Sequence, residues 1–581
     1  MTSTLRRASP FLVLGALTVA LPLTGNGYWG VIGTRAAIYW ILVSGLDLVV
    51  GFAGQLAIGY VGLLALGAYT TSVVCARTDL GAFAGLAAAG VLGAAFGVLV
   101  GLPALRLRTF YFAMTTLGFA TIVTQVALAW SGVTGGGIGL PGPVLPHPFD
   151  GPWGFYLFCL ALAAFCTWMC CNIAASRFGR SLIALRDVEV AAEALGIAKP
   201  RLFVTVFLFS GALAGIAGGL FAALQSYITP DAFTFDLSVL FFIAILVGGR
   251  GSVLGPLLGT IMLTVLPEFA APLVAWSTFL YAVLLLAIVL LLPGGIAELL
   301  DFSARRALPA DRAIRPRPQF LENMFDHTEA PARLELRGIR LHFGGVHAID
   351  GLDLDIAPGT VHGLIGPNGS GKTTTLNVIS GFASPQEGAV AIGAAPLAPG
   401  KPRSRAGRGV ARTFQTPRII GEASVLDNVM TGGAIDGRAS FLECAFALPR
   451  CRREEAGLRA RALLALRIVG LDTLAEVRAD RLQHSELRFL EIARALLLHP
   501  AFLLLDEPAA GLSAEEIRRL GALIREISRR GTGVLLVEHH ADLIFDICDR
   551  VTVLNLGREL AAGTPAEIRA HQEVVSVYLG A

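Results

Sequence analysis

GPNGSGKTT, Gly366 to Thr374, follows the apolar run TVHGLI (Thr360 to Ile365) and opens the helix-like run TTLNVISG. Strand, glycine-rich turn and helix in that order make a phosphate cradle. The glycines let backbone N–H groups curl around an anion, and the helix N-terminus adds the positive end of its dipole. The motif is a P-loop, with Gly366, Pro367, Asn368, Gly369, Ser370, Gly371, Lys372, Thr373 and Thr374 as candidate ATP-binding residues. In such a loop Lys372 reaches phosphate oxygens and Thr373 a Mg²⁺ ion.

Downstream, AFLLLDEPAAGLS (Ala501 to Ser513) reads as an apolar strand ending in two carboxylates. That spacing puts Asp506 to hold Mg²⁺ through water and Glu507 beside the γ-phosphate as general base. GVLLVEHH ends another strand, with His539 as γ-phosphate sensor. Upstream, LELRGIRLHFGGVHAIDGLDLDIAPG reads as short strands with turn glycines.

A chain of 581 residues suggests several domains. A mean hydropathy of +0.66 with 15% charged residues is too apolar for one soluble protein. The apolarity is lopsided: charges are sparse between Pro10 and Leu300 and frequent beyond Asp301. The net charge of +3, scattered among acids, supports no nucleic-acid partner. Eight cysteines without paired CxxC spacing read as buried thiols.

Apolar stretches of spanning length fall near residues 10–24, 28–50, 53–75, 81–104, 110–130, 153–174, 203–225, 238–267 and 272–292. The N-terminal one carries the parts of a signal peptide but reads as a first membrane helix. Positive loop charge puts Arg6, Arg7, Arg106, Arg108, the Arg177–Arg201 segment, Arg305 and Arg306 on the cytoplasmic side, which demands an even number of crossings. Splitting the eighth stretch at Gly248–Ser252 gives about ten; re-entrant pieces give eight. Glycines within the spans serve either close helix packing or local unwinding around a solute.

Ser176–Arg201 is the long charged loop of this half. Val188, Ala191, Ala192 and Leu195 recur at helical spacing, charged Arg186, Asp187, Glu189 and Glu193 interleave, and Gly196 can stop the helix. It reads as a docking helix or, alternatively, as an interfacial helix with no partner. Ser303–Pro331, rich in Arg and Pro, reads as a cytoplasmic linker. The expected fold is a polytopic all-α membrane domain of about 8–10 transmembrane helices (1–302), the linker (303–331), and an α/β P-loop ABC ATPase domain (332–581).

GLDLVVGFAGQLAIGYVGLLALGAYT (45–70), GLPALRLRTFYFAMTTLGF (101–119), the docking segment and VGGRGSVLGPLLGT (247–260) resemble permeases of the branched-chain (hydrophobic) amino-acid ABC importer family. Two positions depart: the family's first Gly-rich motif usually carries an Asn and a His where this chain has Asp47 and Tyr60. Asp47 is either a contact for a cationic solute group or a buried, hydrogen-bonded carboxylate. Leu334–Gly580 resembles the ATP-binding subunit of the same importers.

That resemblance implies further roles. Phe343 takes the position of the ring stacked on adenine, although the pattern alone equally allows a core role. Gln415 of RTFQTPRII meets Mg²⁺ and the attacking water. The signature motif, usually LSGGQ or in this subgroup something like LPYGQ, reads LQHSE here, so Gln483, His484, Ser485 and Glu486 form a degenerate copy. In the superfamily that helix tip completes the partner subunit's ATP site, which implies one weakened site of two.

Arg186–Gly196, seated near Gln415, would transmit closure of the ATPases to the permease. The implied cofactors are ATP and Mg²⁺. The implied partners are a second permease, a second ABC ATPase, a periplasmic solute-binding protein and membrane lipid, with the chain multi-pass in a bacterial inner membrane. Branched-chain amino acids lead as solute over urea, amides or aromatic acids. An exporter half-transporter would show six long helices projecting into the cytoplasm, and a membrane-anchored ATPase that moves no solute is the remaining rival.

Overall fold

The computed structural model describes residues 27–107, 109–270, 277–292, 294–300, 308, 312, 314–324 and 332–576. The expected span at 10–24, Arg6, Arg7, Arg108, Arg305, Arg306 and the chain's end lie outside these residues, as does most of the expected linker. The described residues divide into two compact units. The first is drawn from Met1–Leu182, Lys199–Phe302 and Phe441–Leu448; the second from Ile183–Ala198, Ser303–Ser440 and Pro449–Ala581.

The first unit is helical. Among the described residues six stretches are long and apolar enough to cross a membrane: Gly27–Phe52, Gly81–Leu105, Thr109–Ala129, Pro152–Ala175, Lys199–Gln225 and Pro230–Gly248. Numbering the principal helices up to Leu291 gives α1 Gly27–Asp47, α2 Val61–Arg77, α3 Gly81–Gly101, α4 Thr109–Ala129, α5 Pro152–Ala175, α6 Arg177–Asp187, α7 Glu189–Ala194, α8 Lys199–Gln225, α9 Phe235–Gly248, α10 Gly255–Ala270 and α11 Ser277–Leu291, of which α7 and the end of α6 belong to the second unit. The expected stretch 53–75 is shorter as a helix, since α2 starts only at Val61. The eighth stretch does split: α9 ends at Gly248, and Gly249 and Gly251 take left-handed backbone that ends the helix.

Small residues let α3 and α8 touch backbone to backbone. A Cβ on Gly97 would lie 2.9 Å from the Gly211 Cα, and one on Gly93 would lie 2.9 Å from the Gly215 Cα. For these glycines close helix packing is what the structure shows.

Asp47 closes α1, and the chain continues as one wide turn, Leu48–Phe52, with Ala53 N–H donating to the Leu48 carbonyl at 3.1 Å. The buried carboxylate accepts the Gly251 N–H at 3.0 Å, tying α1 to the α9–α10 break. Tyr60 is likewise buried, its hydroxyl 2.9 Å from Ser210 Oγ. Both departures from the family pattern are therefore seated in packing.

Asp47→Asn keeps an acceptor for Gly251 and is expected to leave the solute KM within about two-fold. Asp47→Ala orphans that N–H and is expected to lower stability by about 1–3 kcal/mol. Uptake kinetics and a melting curve check both; a large KM rise in Asp47→Asn would return the carboxylate to the solute path.

The second unit is α/β. Its strands are β1 Leu334–Phe343, β2 Val346–Ile356, β3 Val361–Ile365, β4 Glu387–Ile392, β5 Ala395–Pro396, β6 Val410–Arg412, β7 Phe502–Asp506, β8 Gly533–Val537, β9 Arg550–Asn555 and β10 Arg558–Gly563. One sheet has the order β10-β9-β3-β8-β7-β6, parallel except for antiparallel β10; the other, β2-β1-β4-β5, is antiparallel. Strands β3, β7 and β8 are buried along their whole length, as continuous apolar runs in a parallel sheet require. The main helices are α12 Lys372–Ile379, α13 Val425–Thr431, α14 Pro449–Val469, α15 His484–Leu496 and α16 Ala514–Arg529.

Two expectations need correcting. The docking segment is not one helix: α6 and α7 meet at Val188, whose φ −141° and ψ 56° leave the helical region, so the apolar residues on either side of it do not share one continuous helix face. Gly196 does end α7, at φ +82°. The supposed linker is also not all tether. Ile314, Leu321 and Met324 are buried in the main apolar cluster of the second unit, with the short turn Pro318–Asn323 between them. Three anchoring side chains spaced among prolines give no period that a sequence pattern could register.

Candidate nucleotide site

Strand order places four loops at one sheet edge, the carboxyl ends of β3, β6, β7 and β8. The register puts Val537 beside both Leu364 and Asp506, and Arg412 beside Leu504, so the segments that follow emerge side by side.

After β3 the chain turns through the P-loop into α12. Gly366 (φ +151°) and Gly371 (φ +103°) hold backbone that other residues rarely adopt. A Cβ on Gly366 would strike the Leu554 carbonyl, and one on Gly371 would come within 2.5 Å of the Ala348 oxygen. Lys372 Nζ donates to the carbonyls of Gly366 (2.7 Å) and Pro367 (2.9 Å). Burial pushes its pKa down, while Glu507 and Asp506 pull it back up. Ser370 Oγ is buried with no hydrogen-bond partner among the described residues. A tight glycine turn, a buried hydroxyl with no partner among the described residues and a buried ammonium fit a bound polyphosphate. Thr373, next in the loop, is exposed at the start of α12.

Asp506 ends β7 and is buried. It pairs with Arg412, whose Nη2 donates at 3.2 Å, while Arg412 Nη1 donates to Asn377 Oδ1 (2.6 Å) and Ser380 Oγ (2.9 Å). Burial raises the Asp506 pKa and the Arg412 charge opposes that. Glu507 has φ +48°, a costly conformation for a non-glycine residue and one found at active sites. Its carboxylate joins two predicted residues: Gln415 Nε2 donates to Oε2 at 3.0 Å, and His539 Nε2 lies 2.8 Å from Oε1. Three segments far apart in sequence thus converge on one partly exposed carboxylate. Such a group can take a proton from a water held against it.

Phe343 ends β1 opposite Val346 of β2 and is 60% exposed, which removes the core reading and leaves its ring open to solvent. Gln483 caps α15, and Ser485 lies within the first helical turn without positive φ. Described neighbours of the motif include Gly511, where a Cβ would come 2.9 Å from the His484 ring, and Glu516. The Glu516 carboxyl is held below the usual range by the Ser513 N–H, with the Ser513 and Ser485 hydroxyls adding to it.

In the docking segment Arg186 donates to Asp187 (Nε, 2.6 Å) and to Glu422 (Nη2, 3.1 Å), in the stretch that follows Gln415. Burial works against its charge, but these two carboxylates outweigh it and raise its pKa. Glu189 and Glu193 lie on α7, and a Cβ on Gly196 would lie 2.6 Å from the Ile435 Cδ1.

Sequence reasoning missed three groups. Arg412 stands in the same RTFQ stretch as Gln415. Glu538, beside His539, is buried and accepts the Ala509 N–H at 2.6 Å and the His539 N–H at 3.0 Å, joining the loops after β7 and β8. Arg312, in the supposed linker, pairs with Glu486. The first two could have been suspected as charges next to motif residues; the third carried no local signal.

Residues 31–292 match the family model described as branched-chain amino acid transport system / permease component, 349–510 the ABC transporter model, and 558–581 the branched-chain amino acid ATP-binding cassette transporter model. The high-affinity branched-chain amino acid transport ATP-binding protein LivG of Escherichia coli K12 is 37% identical over 42% of this chain and 97% of its own length. BraF of Pseudomonas aeruginosa PAO1, with the same description, is 38% identical over 42% and 97%. This chain belongs to the branched-chain amino-acid ABC transporter family. A solved structure described as the ADP conformation of MJ1267, an ATP-binding cassette of an ABC transporter, shares 30% identity over 44% of this chain and all of its own, with a TM-score of 0.39.

This ABC transporter chain fuses a permease to an ATP-binding cassette. It is a membrane protein with an ATPase domain, binds nucleotide, and couples ATP hydrolysis to transport. Importers of this family generally work with other permease and ATPase subunits and a substrate-binding protein.

Proposed function

We propose that this chain imports branched-chain amino acids across a bacterial inner membrane, assembled with a second permease, a second ATPase and a periplasmic solute-binding protein. The observation that carries the reading is the meeting of Gln415, Glu507 and His539 beside the P-loop, in a chain that also holds the permease. In this reading Gly366–Thr374 hold the phosphates, Phe343 stacks on the base, Glu507 takes the proton of the attacking water, and His539 and Gln415 orient that carboxylate.

Thr373, Asp506 and Gln415 are the residues that would hold Mg²⁺, which supplies charge neutralisation on the phosphates when bound. Asp506 fits that role as a buried carboxylate kept in place by Arg412. ATP-dependent leucine uptake into vesicles carrying the assembled transporter tests the reading. Uptake without nucleotide, or ATP turnover that no branched-chain amino acid stimulates, would overturn it.

The degenerate motif bears on the second ATP site. Ser485 keeps ordinary helical backbone, so its N–H still points along the helix axis, but its hydroxyl is engaged near Glu516. Ser485→Gly frees the tip and is expected to raise ATP turnover roughly two- to ten-fold, the worth of one hydrogen bond. Unchanged turnover in the purified complex would show that the departure costs nothing.

A further inference from the structure

Glu486 is the residue of the degenerate motif that the structure treats most unusually. It is fully buried in the first turn of α15, and its Oε2 accepts the Gln483 N–H at 2.7 Å. A carboxylate there steadies the helix by meeting the positive end of its dipole. It also cancels the potential that makes a helix tip attractive to an anion. A tip carrying an unpaired carboxylate would repel a polyphosphate.

The structure supplies a counter-charge from outside the motif. Arg312 Nε donates to Glu486 Oε1 at 3.0 Å, and Nη2 donates to Oε2 and to the Arg481 carbonyl, the latter at 3.2 Å. This is a two-pronged guanidinium–carboxylate pair, the geometry that fixes both partners. Arg312 is itself held by the segment that follows it. Arg519 of α16 donates to the Ile314 carbonyl at 2.5 Å, Arg317 N–H donates to the Ile468 carbonyl at the end of α14 at 2.8 Å, and Leu321 is fully buried. The segment between the two halves of the sequence is thus strapped across α14, α15 and α16.

We infer that Arg312 is a positioning residue for the ATP site completed by α15: it neutralises Glu486 so that a helix tip lacking the usual motif still accepts phosphate. This rests on the reading that the Gln483–Glu486 tip faces the nucleotide of the partner ATPase. Arg312 acts through Glu486 and needs no contact with nucleotide.

The test is the ATP dependence of turnover by the assembled transporter, with melting temperature as the check on folding. Arg312→Gln is expected to raise the KM for ATP about ten-fold, the scale of one uncompensated charge near a polyanion, with a smaller change in kcat. Arg312→Lys keeps the charge and recovers part of the loss. Arg312→Gln combined with Glu486→Gln removes both charges and recovers most of it.

A normal KM in a folded Arg312→Gln transporter, or a loss that the added Glu486→Gln fails to relieve, overturns the inference. If Arg312→Gln does not fold, the double variant and Arg312→Lys still decide: a KM raised in Arg312→Lys but near wild type in the double variant supports charge balance, and a KM near wild type in Arg312→Lys or a double variant no better than Arg312→Lys refutes it. Ser485→Trp, which blocks the tip, separates the underlying reading. Turnover untouched by Ser485→Trp refutes that reading and the inference with it; turnover lost in Ser485→Trp but normal in Arg312→Gln refutes the inference alone.

Discussion

Glu507→Gln is expected to lower ATP turnover of the assembled transporter by about two to four orders of magnitude, the usual contribution of a positioned general base, while nucleotide still binds. The substitution preserves shape and replaces only the charge. Gln415 and His539 both point at this carboxylate, at 3.0 and 2.8 Å, and its backbone is held at φ +48° to present it. That strain persists only because β7 and the buried Glu538–Ala509 bond fix the loop on both sides. Lys372→Ala should instead weaken ATP binding, since the ammonium is the loop's own charge. Phosphate release measured alongside equilibrium ATP binding separates the two variants. Turnover within about three-fold of wild type in Glu507→Gln would mean that another group takes the proton.

Arg186→Glu is expected to cut solute uptake by about ten-fold or more while ATP turnover without solute stays within about two-fold, because a like-charge pair would replace an attraction across 3.1 Å. The pair joins α6 to the stretch following Gln415, and the Arg186 side chain is mostly buried while Glu422 is exposed. Residues 183–198 therefore pack with the ATPase unit although the α6–α7 segment is flanked in sequence by the membrane-length helices α5 and α8. Adding Glu422→Arg should recover a substantial part of the uptake, as reversal restores the attraction. Parallel loss of uptake and ATP turnover in Arg186→Glu would indicate a folding defect in place of uncoupling. Full uptake in Arg186→Glu would show that the pair carries no motion.

The P-loop, the Asp-Glu pair and the strand-end His were legible because each needs a fixed residue at a fixed distance from a strand end, a local property of the chain. The membrane half was legible for a related reason: apolar runs long enough to cross lipid, and the charges between them, are one-dimensional signals. The split at Gly248–Ser252 could be read from its glycines. The family resemblance added Phe343, Gln415 and the docking segment.

What the sequence by itself determined is the inventory: a polytopic helical half, a P-loop ATPase half, and the candidate residues for holding phosphate and moving a proton. Only the tertiary structure decided which groups meet. Val188 interrupts the docking segment at φ −141° and ψ 56°, a turn in the backbone that its apolar spacing does not announce. Asp47 bonds to Gly251, a residue brought to it only by the fold. Arg412 with Asp506, Glu538 with Ala509, and Arg312 with Glu486 join segments separated by tens to hundreds of residues. Pairing of buried charges depends on three-dimensional proximity and desolvation, and neither leaves a periodic trace along a single chain.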